Sequence, residues 1–148
     1  LTLYKTLILP VLLYGAESWT VTQSDAAALG VFERKILRKI FGPIRVGDDY
    51  RIRWNNELYE LYGDIDIVKR INVSRLRWLG HVVRMEEQAP ARRAYDVVVH
   101  GNRRRGRPRL RWKDQVEQAA ADFGISNWRR KARDRNAWRA ALHQAETR

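Results

Sequence analysis

Cysteine is absent from this sequence. Without a thiol the chain can form no disulfide, present no thiolate nucleophile and build no cysteine-ligated zinc site. Histidine is nearly as scarce. His81, His100 and His143 stand in no pattern with a serine or with one another, so neither nucleophilic catalysis nor zinc is indicated. Acid is in short supply, with 17 Asp and Glu against 29 Lys and Arg and a formal net charge of +12. The carboxylates also fall in no frame that would hold paired cations. Asp48 with Asp49, Asp64 with Asp66, and Glu86 with Glu87 are assigned surface or capping roles, Asp64 being the best placed to cap a helix. No long apolar run exists either. The opening LTLYKTLILPVLLYG is too short and too interrupted, by Lys5 and Pro10, to span a bilayer, and it lacks a basic leader and a small-residue cleavage site. It reads as a core helix. No catalytic residue, metal ligand, cofactor, small-molecule substrate or membrane contact is assigned to this chain.

What remains is apolar, aromatic and basic. In 148 residues, 45% hydrophobic content with six Trp and six Tyr supplies one modest core, or two small helical units. The charge is uneven: residues 1–100 hold 15 Lys and Arg against 12 Asp and Glu, whereas residues 101–148 hold 14 against 5. Such asymmetry marks contact with nucleic acid or another anionic surface, or else a solubilising tail. The expected location is intracellular, nuclear or cytoplasmic. A start at Leu1 and not Met is expected of a segment of a longer protein.

Periodicity predicts a mostly α fold of small helical bundles, with a basic extended hinge around residues 101–108. A helix over residues 3–14, bent or divided at Pro10, is apolar nearly all round, which predicts burial on most sides by neighbours. Ser24 is the expected N-cap of a helix carrying Leu29, Phe32, Ile36 and Ile40 and stopped by Gly42-Pro43. Residues 43–50 read as a loop, RIRW as a short extended piece and NNELYELYG as a short helix. In the next, longer helix, Ile67, Ile71, Trp78, Val82 and Met85 share one face, flanked by Val68 and Leu79. Gly80 inside it costs about 1 kcal/mol against Ala and marks a close helix contact or a break. After a weaker stretch, with a helical turn at ARRAY and an extended DVVVH, the residues Trp112, Val116, Ala119, Ala120 and Phe123 form a stripe in a helix with Pro108 in its first turn. Ser126 and Asp134 read as caps of two short helices. The organisation expected is a helical region over 1–88, a connector with a basic arm over 89–107, and a C-terminal helical region over 108–148.

The densest charge lies at GNRRRGRPRLRW, residues 101–112. In an extended chain Arg103, Arg105, Arg107, Arg109 and Arg111 fall on one edge, and Gly106 and Pro108 favour close approach and extended geometry. Gly-Arg-Pro between arginines also resembles the core of an AT-hook, a short minor-groove arm, while a solvated linker remains the plain alternative. Five to seven such cations on phosphates would give a log-log salt slope of roughly −5 to −6 on duplex DNA. Tryptophans stand beside basic clusters at Trp54, Trp78, Trp112, Trp128 and Trp138; base stacking competes with core packing, and core is expected for Trp78, Trp112 and Trp138.

In order and spacing, YKTLILPVLLYGAESW, VFERKILRKIFGP, LRWLGHVVRM (residues 76–85) and RRRGRPRLRW (residues 103–112) resemble the C-terminal portion of the endonuclease–reverse transcriptase of non-LTR, LINE-like retrotransposons. The resemblance covers nearly the whole chain and implies the thumb and the region downstream of the thumb. Neither the endonuclease nor the paired palm aspartates of such polyproteins appears here, so the Mg-binding polymerase residues have no positions to carry over to. With no cysteine, the zinc knuckle of some relatives has none either. The resemblance implies a non-catalytic module that holds RNA or DNA against an upstream polymerase domain of the same polyprotein during reverse transcription. Arg103, Arg104, Arg105, Arg107, Arg109, Arg111 and Lys113 are the first candidates for phosphate contact; Arg34, Lys35, Arg38, Lys39, Arg75 and Arg77 are the second. The alternatives are a domesticated AT-hook-like DNA-binding protein and a helical protein-interaction module.

Overall fold

A computed structural model describes residues 1–97 and 111–147. Its described residues form eight α-helices and one two-stranded sheet, the mostly helical class predicted from periodicity. The chain divides into two compact units, Leu1–Ala16 with Val21–Ile71, and Glu17–Thr20 with Asn72–Arg148.

In the first unit, Tyr4–Ile8 wind as a π-helical turn that runs into α1 (Leu9–Leu13). Pro10 has no N–H to offer the carbonyl of Thr6, so the regular ladder cannot continue through this point. Only one side is covered. Tyr4 and Leu9 are buried, while Leu3, Leu7, Val11 and Tyr14 form an outward stripe in which Val11 is 78% exposed. The expected burial on most sides is therefore not met within this unit.

Helix α2 (Gln23–Phe41) is capped by Thr22, not by Ser24. Thr22 Oγ1 accepts from Asp25 N at 3.1 Å, and the Asp25 carboxylate accepts from Thr22 N at 2.9 Å. The reason is the reciprocal pair, which requires an acid three residues after the cap, and Asp25 stands at that distance from Thr22. The segment expected to be a loop instead folds into a hairpin of β1 (Ile44–Val46) and β2 (Asp49–Arg51). Its two-residue turn is Gly47-Asp48, with Gly47 at φ 64°, the positive angle that a tight antiparallel turn demands.

Helix α3 (Asn55–Tyr62) ends at left-handed Gly63, as its sequence predicts. Helix α4 (Ile67–Val83) is capped by Asp66, whose Oδ1 accepts from Lys69 N at 2.9 Å. Asp64, expected to be the cap, instead pairs with Lys5 at 2.9 Å and Arg70 at 2.6 Å. Burial alone would raise its carboxyl, but those cations and the Ile65 N–H outweigh burial and hold it below the usual range.

Glu33 is the polar centre of this unit. It is fully buried on α2 and accepts from Tyr4 Oη at 3.0 Å, Tyr59 Oη at 3.1 Å and Ile67 N at 3.0 Å, joining the N-terminal helix, α3 and the first turn of α4. Around it pack Leu37, Leu58, Tyr62 and Ile71. Burial raises its carboxyl, with the three donors pulling the other way; the tyrosines that face it are raised too, by burial first and then by the carboxylate, Tyr59 to about 12.

The second unit comprises the rest of α4 with α5 (Pro90–Asp96), α6 (Trp112–Asp122), α7 (Trp128–Arg133) and α8 (Arg135–Thr147). Its core is Leu76, Leu79, Val116, Ala120, Ile125, Ala132, Trp138 and Leu142. Trp78, expected on the buried stripe of α4, is 37% exposed and lies against His81. Leu76 and Leu79 take the core positions, and a residue two places after Leu76 points roughly the opposite way on a helix. Asp134 caps α8 as predicted, its Oδ1 accepting from Asn136 N at 2.8 Å. Helix α7 begins after left-handed Asn127 and not at Ser126. In DVVVH, Asp96 is still helical and Val97 is extended; the other three residues lie outside those described.

Gly80 proves to be a close contact and not a break. A Cβ there would lie 2.2 Å from Trp138 Nε1 and 2.3 Å from its Cδ1, and the same indole nitrogen donates to Leu76 O at 3.0 Å.

Two outcomes are expected in denaturant unfolding. Gly80→Ala, which at an ordinary interior helix position would stabilise by up to about 1 kcal/mol, should destabilise by about 2 kcal/mol, because the added methyl evicts the indole from its seat. Glu33→Leu should cost about 3 kcal/mol or more by leaving buried donors without an acceptor, whereas Glu33→Gln, close in shape to the protonated acid, should stay within about 1 kcal/mol. A raised folded-state carboxyl binds its proton more tightly than the unfolded chain does. The wild-type advantage over Glu33→Gln should therefore fall as pH rises above about 4.3, the ordinary glutamate value, until it passes the raised one.

Candidate nucleic-acid interface

The seat of Trp138 on α4 also lies at a site rich in cations. A cleft of about 330 Å³ opens in the second unit, floored by Trp138 and Leu142 and walled by Arg77, Arg84, Arg135, Arg139, His143 and Glu146. On α8, Arg135, Arg139 and His143 recur at intervals of four, placing all three on one exposed stripe. Arg77 stands on the exposed side of α4, and Arg84 lies in the turn that follows the last residue of that helix; both line the cleft. Four arginines and a histidine thus meet a single carboxylate, Glu146, which pairs with Arg77.

Arg84 is fixed by donating to Ala132 O at 2.6 Å. Its guanidinium sits below the ordinary value, first because of burial and next because of the Arg135 charge beside it, with the Asp134 carboxylate opposing both. That crowding of like charge costs free energy in the empty cleft, and a bound anion would relieve it. The geometry suits the backbone of a polyanion: cations spaced along a helix, an aromatic floor, and no cluster of polar groups aimed at one small molecule.

The residues predicted from sequence do not share one site. Arg103, Arg104, Arg105, Arg107 and Arg109 lie outside the described residues. Arg111 is exposed in an extended residue just before α6, whereas Lys113 donates to Tyr95 O at 3.2 Å and lies 4.7 Å from the centre of that ring. In the first unit, Lys35 and Lys39 stand exposed one turn apart on α2. Arg34 folds back beside Gly30, and Arg38 donates to Asn55 Oδ1 at 2.8 Å. Arg77 lines the cleft.

Arg75 does not belong to a solvent-facing set. It is 2% exposed, donating to Asn72 Oδ1 at 3.2 Å and Gln115 Oε1 at 2.8 Å, and burial draws its guanidinium below the ordinary value. Helical phase explains the difference: Arg75 falls between buried Val73 and Leu76, and Arg77 on the outer side. Arg84, Arg135, Arg139 and His143 were not singled out from sequence. For the three on α8 the signal is the four-residue spacing, which is less conspicuous than a run of adjacent arginines.

Among the described residues, no group of three or more His, Asp or Glu is arranged to hold a metal ion, and no helix is long and apolar enough to cross a membrane.

No family model matches the sequence, and no solved structure matches it. A curated relative is an uncharacterized transposon-derived protein of Caenorhabditis elegans, 22% identical over 151 residues, a match covering 98% of this chain and 54% of the relative. The chain spans about half the length of the curated relative it matches. The likeness extends through both units and points to a transposon-related origin.

Proposed function

We propose that this chain is a non-catalytic, nucleic-acid-holding part of a retrotransposon reverse transcriptase of the non-LTR type. The observation that carries this reading is the α4–α8 cleft, where four arginines converge around an aromatic floor. Magnesium-dependent synthesis belongs, in this reading, to a polymerase domain elsewhere in the longer protein. The cleft and the arginine run over residues 103–111 hold the phosphates of template–primer or element RNA. Contacts of this kind set position and strength of binding and carry no base sequence. The transposon-derived relative supports the setting, and the net charge of +12 supports the partner class.

The test is the salt dependence of binding. Replacing exposed Arg135 and Arg139 together by Ala should weaken binding about equally for unrelated duplexes and reduce the log-log salt slope by roughly 2, near 0.9 for each lost cation. Replacing Arg103, Arg105 and Arg107 by Ala should reduce it by roughly 3. An unchanged slope in the first variant removes the cleft from the interface, and in the second the arm. A clear preference for A·T-rich over G·C-rich duplex, lost in the second variant, would favour the AT-hook reading instead.

A further inference from the structure

Tyr50, Ile52 and Trp54 are exposed by 69%, 72% and 65%. Arg51 and Arg53, between them, are half-buried. This alternation is that of an extended strand continuing past β2, and it sets the three large side chains on one edge, about 7 Å from each to the next. The opposite edge is anchored. Arg51 donates two parallel bonds to Glu57, at 2.9 and 2.5 Å, and Glu57 also accepts from Trp54 N at 2.7 Å. Arg53 Nε donates to Gly42 O at 3.1 Å. The Arg51 guanidinium further lies over the Trp54 ring, 5.7 Å from its centre. Two aromatic rings are thus held on a braced edge that serves no core.

The surroundings decide what such an edge takes. Arg38 joins α2 to this segment through Arg53 O and Asn55 Oδ1, and exposed Lys35 and Lys39 stand within one turn of Arg38 on that helix. Arg45, on the facing strand opposite Tyr50, is turned towards the hairpin turn, where it donates to Gly47 O at 2.9 Å and pairs with Asp48 at 3.5 Å. Asp48 and Asp49 place the acid at the other end, around the hairpin turn. Flat rings flanked by cations match a ligand that offers flat rings and anions together. Bases inside a duplex already stack on one another, whereas those of a single strand are free to stack on side chains.

We propose that Tyr50, Ile52 and Trp54 form a stacking platform for the unpaired bases of a single-stranded nucleic acid, with the neighbouring α2 cations taking its phosphates. It lies in the first unit and shares no residue with the α4–α8 cleft, so either can fail without the other.

The full chain is titrated with a labelled 12-nucleotide single strand, an abasic strand of equal length and charge, and a duplex. The wild type should bind the normal strand about tenfold more tightly than the abasic one, and Trp54→Ala should remove that preference while leaving abasic and duplex binding within twofold. Trp54→Phe should restore most of it. Because Trp54 is mainly exposed, its loss should leave the unfolding midpoint unchanged, and the wild-type comparison of strands needs no variant at all. Equal wild-type affinity for normal and abasic strands, or a Trp54→Ala effect shared by all three ligands, overturns the proposal and leaves the edge as a protein-facing surface. Survival of the preference in the Arg135→Ala, Arg139→Ala double variant would separate the platform from the cleft.

Discussion

With no Cβ at Gly80, the flat edge of the Trp138 indole lies directly against α4, and its nitrogen reaches the Leu76 carbonyl. That single close approach sets the distance of α8 from α4, and the position of every cation on the two walls of the cleft depends on it. Closer packing would bring Arg84 and Arg135 into stronger repulsion; wider spacing would separate the cations and open the apolar floor to water. The contact thus fixes the core and the charge distribution together, because Trp138 is both the anchor of one and the floor of the other.

The first unit solves a different problem. Its elements are short or interrupted, so several backbone and hydroxyl groups would be orphaned where they meet. One acidic side chain collects them. By accepting from two tyrosines and from the Ile67 N–H, Glu33 sits at the positive end of α4 while being removed from water. Burial penalises its charge and the donors favour it; the balance that raises its carboxyl makes this junction sensitive to acid and base in a way the apolar seat of Trp138 is not.

Helix existence was largely legible in the sequence, because amphipathic spacing and glycine stops are local signals. Cap identity was less so: Thr22 rather than Ser24, and Asp66 rather than Asp64, were decided by reciprocal bonds and competing ion pairs that a linear pattern ranks poorly. The hairpin is hard to read from the sequence because three-residue strands show too little alternation, although Gly47-Asp48 marks its turn. Of the site, Arg77 was legible as a basic residue near Trp78, but Arg75 two places earlier looked equivalent and is buried. Burial depends on helical phase and on what packs opposite, and a composition count carries neither. Arg135 and Arg139 become a site only when α4 supplies the facing wall.

The one acid in the cleft bears on how a phosphate would enter. Glu146 pairs with Arg77, an arginine whose side chain is 61% exposed. An exposed pair contributes about 1 kcal/mol at most, since water and salt screen it and two side chains are held still to form it. In the proposed function, a phosphate entering between Arg77 and the α8 stripe would exchange that weak partner for one that Arg84, Arg135 and Arg139 could share. The carboxylate holds Arg77 at the cleft wall and partly neutralises the four arginines that line it, which lowers their mutual repulsion without filling the cleft.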